Sequence, residues 1–271
     1  KIPAELSSTP GIADSSNATA ITINSSEQVG IGTTSPAALL NLVEDNSRST
    51  KTGNGLGQIH INGGTDLSNG DVSAITFSSN TLTKPSAIIG NKITNNGSTL
   101  FFGTSNSYVT GVTNTTMEMH PDGEVSIPNQ PCLTATKGSD STNVGHGSTL
   151  TLSFTNEYFD IGSNFDGTYF TAPEDGMYLV AVSIRCEQIE ANLPYAQIYL
   201  TASNNAYYID LQSFDDFLNQ QANFIRMNGS VVVHLDAGDT CYVRFYADNL
   251  PSGSNALDID SASQLSIIKV S

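Results

Sequence analysis

The sequence predicts an all-β fold in two parts, a region of short strands followed by a β-sandwich. Apolar and polar residues alternate with period 2 through most runs that carry Val, Ile, Leu, Phe and Tyr, and Gly, Asn, Asp and Ser fill the gaps between them. Helical signals are nearly absent. Pro36 to Val43, opened by Ser35-Pro36 and carrying Leu39, Leu40 and Leu42, offers one short helix, and Asp215 to Phe224 offers a second helix or a polar loop.

The boundary is placed near residue 131, where the texture changes. Residues 1–131 hold short β-prone runs at Ala20 to Asn24, Gln58 to Asn62, Ala74 to Phe77, Ile88 to Ile89, Leu100 to Phe102 and Met117 to His120. Strands this short bury little each, so the region is marginal as a lone monomer. Residues 132–271 hold longer runs at Thr149 to Phe154, Met177 to Arg185, Ala196 to Thr201, Tyr207 to Leu211, Ser230 to Leu235, Cys241 to Tyr246 and Leu265 to Val270, the pattern of a sandwich.

An internal repeat marks the first part. Ile21-Thr22-Ile23-Asn24 with Val29-Gly30-Ile31 aligns with Met117-Glu118-Met119-His120 with Val125-Ser126-Ile127 at a constant offset of 96 residues. Each copy reads as a hairpin with its apolar side chains on one face. Association of several chains around an axis would cover that face.

In the second part, Met177, Leu179, Ala181, Ser183 and Arg185 alternate with Tyr178, Val180, Val182, Ile184 and Cys186, as in a strand that packs between sheets and also meets a neighbouring subunit. Cys241, Val243 and Phe245 face one way, with Tyr242, Arg244 and Tyr246 the other. These aromatics are expected in the core or a subunit interface rather than against a ligand. Cys132, Cys186 and Cys241 show no ligand-like spacing and read as small buried filler.

Val29-Gly30-Ile31-Gly32-Thr33-Thr34-Ser35-Pro36, followed by Leu39 and Leu42, resembles an element that recurs in bacteriophage tail fibres. Asp122 to Pro131 resembles the stretch that hands such a shaft over to a distal head, departing from it at Glu124 and Ser126. Phe165 to Tyr178, Asn228 to Val243 and Leu265 to Val270 are similar to the complement globular-head and tumour-necrosis-factor jelly-roll superfamily, although Phe214 to Phe224 matches nothing in it. The resemblance implies a thin, trimeric β-rich shaft over 1–131 and a TNF-like jelly-roll head over 132–271. It also implies a homotrimer in the virion tail fibre, outside the cell, joined to other tail proteins through residues preceding Lys1. Lys1 stands where an initiator Met would, so the chain is expected to be part of something longer.

Composition narrows the function. The 271 residues carry 26 acidic and 10 basic side chains, a formal net charge of −16, with 16 acidic and 5 basic in 132–271. Phosphate backbones would be repelled, which argues against nucleic-acid binding, and no apolar run approaches the ~18 residues that span a bilayer. Glycoside hydrolysis would need two carboxylates about 5–9.5 Å apart. The nearest pairs, Asp215 with Asp216, Asp258 with Asp260 and Glu187 with Glu190, sit in no catalytic setting. His60, His120, His146 and His234 lack metalloenzyme spacing. No enzymatic activity and no cofactor are expected, with Asp248, Asp258 and Asp260 as candidate Ca²⁺ ligands.

The expected function is reversible attachment to a bacterial surface glycan or outer-membrane protein through the distal loops of the head. The candidate contacts are Asn192, Tyr207, Tyr208, Asp215, Asp216, Phe217, Gln220 and Asn249, drawn from loops rich in Asn, Gln and Tyr. Two alternatives stay open: a structural virion protein whose head is a trimerisation clamp, and a secreted bacterial jelly-roll adhesin.

Overall fold

The computed structural model describes residues 11–13, 19–31, 33–42, 59, 61, 72–78, 84–94, 97–107, 109–145, 147–190, 193–203, 205–214, 222–248 and 257–271. The chain divides into two compact units, Lys1–Phe77 with Ile88–Leu100, and Ser78–Ala87 with Phe101–Ser271. Among the described residues there is no helix.

In the first unit, β1 (Gly11–Ala13), β2 (Thr19–Ile23), β3 (Val29–Ile31) and β4 (Leu40–Leu42) form one sheet in that order. β2 and β3 are antiparallel, Ile21 opposite Ile31 and Ile23 opposite Val29, so all four apolar side chains share a face. Ile23 and Ile31 are 41% exposed, while Thr22 on the opposite face is 1% exposed with its hydroxyl unpartnered. The apolar side of this hairpin is the open one.

Of the helix offered at Pro36 to Val43, the described residues Pro36 to Leu42 are not helical. β4 lies parallel to β3, with Val29 opposite Leu40, and the Val29 N–H donates to the Leu39 carbonyl at 2.8 Å. Gly30 lets the connection fold back, because a Cβ there would stand 2.6 Å from the Thr33 carbonyl oxygen and 3.4 Å from Pro36 Cβ. Backbone pairing with β3 therefore outweighs the leucines' helix propensity. Along the chain follow β5 (Val72–Phe77), β6 (Ala87–Thr94) and β7 (Gly97–Thr104). The strand expected at 58–62 falls mostly outside the described residues.

In the second unit, β8 (Asn114–Met119) and β9 (Val125–Ser126) form the other hairpin. Among the described residues twelve strands follow, of which β15 and β18 have fourteen residues each: β10 (Cys132–Thr136), β11 (Ser141–Val144), β12 (Thr149–Thr151), β13 (Asn156–Asp160), β14 (Phe170–Thr171), β15 (Gly176–Ile189), β16 (Tyr195–Ala202), β17 (Asn205–Ser213), β18 (Ala222–Leu235), β19 (Thr240–Ala247), β20 (Leu257–Ile259) and β21 (Gln264–Lys269). One sheet runs β11-β20-β15-β21-β10-β13, with β18 along β15; the other runs β12-β19-β16-β17, with β14 also on β19. From β15 onward the chain crosses repeatedly between the sheets, and β10 pairs with the distant β21, Leu133 opposite Ile267. That winding is a jelly roll.

Alternation fills the space between the sheets. Tyr178, Val180 and Ile184 of β15 meet Ile198 and Leu200 of β16, Val243 and Phe245 of β19, and Phe154 and Phe170, all in one buried cluster. The Tyr178 hydroxyl donates to the Glu174 carbonyl at 2.8 Å, and its ring meets Phe170 edge-on at 5.6 Å. Cys186 and Cys241 are buried in this cluster, Cys132 is half-buried, and all three are free thiols. Burial pushes both buried thiols up to about 12.

Several short strands were not foreseen. β10, β11, β13, β14 and β20 are held by partners far away in sequence, and the run from Thr149 leaves strand geometry after Thr151. The end of the expected helix or loop at 215–224 is strand, since β18 opens at Ala222; residues 215–221 lie outside the described set.

Candidate functional site

The outward face of the β12-β19-β16-β17 sheet concentrates the head's aromatic side chains. On β16, Ala196, Ile198, Leu200 and Ala202 are buried, which turns Tyr195, Gln197, Tyr199 and Thr201 outward. On β19, burial of Cys241, Val243, Phe245 and Ala247 likewise turns Tyr242, Arg244 and Tyr246 outward. The registers bring Thr151 opposite Arg244, Arg244 opposite Tyr199, and Tyr199 opposite Tyr208, one straight row across four strands.

The contacts within the row are direct. The Arg244 guanidinium carbon lies 5.3 Å from the centre of the Tyr199 ring, the range of a cation–π contact, and the Tyr199 and Tyr208 rings are 5.8 Å apart. The Tyr199 hydroxyl donates to Thr149 Oγ1 at 3.1 Å. On one side of the row Tyr242 meets Tyr169 edge-on at 4.9 Å; on the other, Tyr246 meets Tyr195 at 5.7 Å. The Tyr246 hydroxyl donates to Asp248 at 3.2 Å, and desolvation together with hydrogen bonds to Tyr195 and Asp248 pushes that phenol up to about 12. Six of the chain's ten tyrosines are thus on or beside this face.

The hairpin register decides which tyrosine of the Tyr207-Tyr208 pair joins them, since buried Leu200 pairs with Tyr207 and outward Tyr199 with Tyr208. Between Ile198 and Tyr199 the register shifts, so Asp210 pairs with Ile198 and Tyr208 with Tyr199, leaving Ile209 as the extra residue. Tyr208 is 72% exposed, whereas Tyr207 and Ile209 pack against the core. Beside Tyr208, Gln197, Asp210 and Leu211 line a shallow depression of about 440 Å³. Asp210 accepts from the Asn228 backbone N–H at 3.1 Å, tying β17 to β18.

The two expected tyrosines are therefore strand residues on opposite faces, not neighbours on a loop. Asn192, Asp215, Asp216, Phe217, Gln220 and Asn249 lie outside the described residues. Of the β19 aromatics expected in the core or at a subunit interface, Phe245 is a core residue, whereas Tyr242 and Tyr246 stand with Arg244 on the sheet's outward face. Their alternation was visible in the sequence. Which side would be outward depends on where the other sheet lies.

The candidate Ca²⁺ ligands are already used by protein donors. Asp258, 8% exposed, accepts from the Asn143 N–H at 2.8 Å and from Gln188 Nε2 at 2.9 Å. Asp260 pairs with Arg185 at 3.4 Å and accepts from the Ala262 N–H. Asp248 accepts from Tyr246. Calcium asks for six to eight oxygens, and among the described residues no three acidic, His or Cys groups converge.

The other sheet's outward face has a different character. Met177, Leu179, Ala181, Ser183 and Arg185 point away from the core, with Val232 at 48% and Ile268 at 40% exposure flanking Leu179. Toward the far end Arg185 pairs with Glu187 at 3.0 Å and lies 4.5 Å over the Phe224 ring. A hydrogen bond with Asp260, then desolvation, raises the Glu187 carboxyl. Burial opposes the shift at Asp260, yet the bonds from Glu187 and Ala262, with Arg185 nearby, hold its carboxyl low.

The second unit is thus a jelly-roll β-sandwich with an aromatic outward face. No protein-family model matches the chain, and no curated protein matches it. Among solved structures it is similar to the globular domain of zebrafish complement 1qA protein, with 13% identity, 52% of this chain and 98% of that chain covered, and a TM-score of 0.40. It is similar also to murine APRIL, with 11% identity, 52% and 99% covered, and a TM-score of 0.37.

Proposed function

We propose that this chain is a receptor-binding protein of a bacteriophage tail fibre, a homotrimer whose jelly-roll head attaches the virion to a bacterial surface glycan or outer-membrane protein. The observation that carries the reading is the outward face of the β12-β19-β16-β17 sheet, where tyrosine rings and one arginine are fixed side by side on a rigid sheet. Rigid aromatic rings with polar tips give large contact area at small entropic cost, a property of recognition surfaces.

Self-association is supported by different residues. Ile23 and Ile31 in one hairpin, and Val125 and Ile127 in its repeat, stand 41–53% exposed on equivalent faces. Further copies of the chain would cover them, and Leu179, Val232 and Ile268 as well. Three heads on one fibre would let weak single contacts sum to firm attachment.

The test is adsorption of the full chain to a panel of bacterial cells, with sedimentation run in parallel. Changing Tyr199, Tyr208 and Tyr242 together to Ala should leave the melting temperature within a few degrees and reduce adsorption at least tenfold. Equal adsorption by that variant would refute the attachment face. A monomer in sedimentation would refute the trimer.

A further inference from the structure

Arg244 is the odd member of the aromatic face. Among the described residues it has no carboxylate within 4.0 Å, whereas Arg185 pairs with Glu187 and Asp260 and Arg226 donates to Ser183. Its Nε is covered yet finds no hydrogen-bond partner, and neither does the buried hydroxyl of Thr201 on the same face. An unpaired donor cut off from water is costly, and a guanidinium more so than a neutral group. The residue is nonetheless fixed at the centre of the row, over Tyr199 and opposite Thr151.

We propose that this face binds an acidic saccharide, a sugar ring lying along Tyr199 and Tyr208 and its carboxylate held by Arg244. This rests on the attachment reading and names the ligand class. The local charge of Arg244 argues for the carboxylate, against the net charge of the head around it. Residues 132–271 carry 16 acidic and 5 basic side chains, so an anion is repelled by most of this head and has one unneutralised cation on this face to meet. A guanidinium presents paired N–H donors that match a carboxylate in its plane, and the Tyr199 ring beneath keeps that plane oriented. The depression beside Tyr208, lined by Gln197, Asp210 and Leu211, offers amide and carboxylate partners for sugar hydroxyls and an apolar wall for a ring face.

The experiment measures binding of the full chain to three immobilised probes: oligogalacturonate as the carboxylate, mannose 6-phosphate as the phosphate, and neutral galacto-oligosaccharide. Adsorption to bacterial cells is measured on the same preparations. Oligogalacturonate should bind, more weakly as salt rises, and Arg244→Gln should weaken it at least tenfold at an unchanged melting temperature. Arg244→Lys, which keeps charge but loses the planar fork, should fall between the two. Should Arg244→Gln fold poorly, the salt dependence of the unmodified chain and the weakening by Tyr208→Ala, a variant at an exposed position, carry the test. Preference for the phosphate, or equal binding of the neutral probe without salt dependence, overturns the carboxylate assignment. Cell adsorption without binding to any saccharide overturns the inference while leaving the attachment reading standing. Absence of both overturns the two together.

Discussion

Glu27 and Gly123 occupy the same position in two hairpins 96 residues apart, both with positive φ, 60° and 91°. The surrounding hydrogen bonds coincide at that offset. The Asn24 N–H donates to the Gln28 carbonyl and the Glu27 N–H to the Asn24 carbonyl, as His120 does to Glu124 and Gly123 to His120. Pairing coincides too, Ile23 with Val29 and Met119 with Val125. The repeat seen in the sequence is therefore one backbone structure used twice, a three-residue loop closed by a left-handed residue. An L side chain in that conformation costs about 1 kcal/mol. Glu27→Gly should raise the unfolding free energy by up to about that amount. Gly123→Ala should lower it by a similar amount, since a Cβ there meets nothing within 4 Å and only the backbone objects. Denaturant titration of both variants checks the pair.

Gly229 sets the approach of β18 to β17. A Cβ at this position would lie 2.8 Å from Ile209 Cγ2 and 3.1 Å from the Ile209 carbonyl oxygen. Gly229→Ala should cost about 1–3 kcal/mol by overpacking. Because Ile209 is the bulged residue beside Tyr208, the same variant should also quench or shift tyrosine fluorescence; an unchanged spectrum and melting temperature would contradict this packing.

Tyr178 separates packing from hydrogen bonding in the core. Tyr178→Phe leaves the ring against Phe170 and removes only the bond to the Glu174 carbonyl, so a loss of about 1 kcal/mol is expected. Phe245→Ala, which empties a wholly buried site, should cost about 3–5 kcal/mol. Melting curves should rank the two in that order.

The Glu187–Asp260 pair predicts a pH signature. Glu187 is raised, so its contribution is present at low pH and lost as pH rises through its folded value; Asp260 is lowered, so its contribution is present at higher pH and lost on acidification. Glu187→Gln donates to Asp260 at every pH. That variant should melt above the unmodified protein at pH 7, and the gap should close toward pH 4. A gap that is constant with pH would show that the two carboxyls do not share a proton.

Thiol reactivity should follow burial. Cys132 should react with a thiol reagent at pH 8 in the native protein, and Cys186 and Cys241 only after unfolding, because their thiols are buried and raised to about 12. Native labelling of either buried residue would place it outside the core.

The long strands were readable because each carries its own period: Met177 to Arg185 and Cys241 to Tyr246 announce two faces locally. β10, β13 and β20 do not. Leu133 is a core residue because Ile267 pairs with it from far along the chain, and Asp258 is buried because Asn143 and Gln188 donate to it. The candidate site was half legible for the same reason. Tyr207 and Tyr208 could be singled out as adjacent aromatics, but which of them faces outward depends on the register of β17 against β16. The outward role of Tyr199, Tyr242 and Arg244 depends on which sheet covers the other side. At Pro36 to Val43 the leucines favoured a helix, and the close approach at Gly30 gave the segment a strand partner instead.

The pairing of β10 with β21 also sets an order of events during synthesis. Thr134 and Ser266 meet across a sequence separation of 132, whereas each repeated hairpin closes within about ten residues. Loops that short close in microseconds, far faster than a ribosome adds one residue at ~5–20 per second. Both hairpins are therefore complete while the sandwich still lacks its closing strand. Were copies of the chain to associate through the exposed Ile and Val side chains of these hairpins, that association would be open to nascent chains before the sandwich has closed.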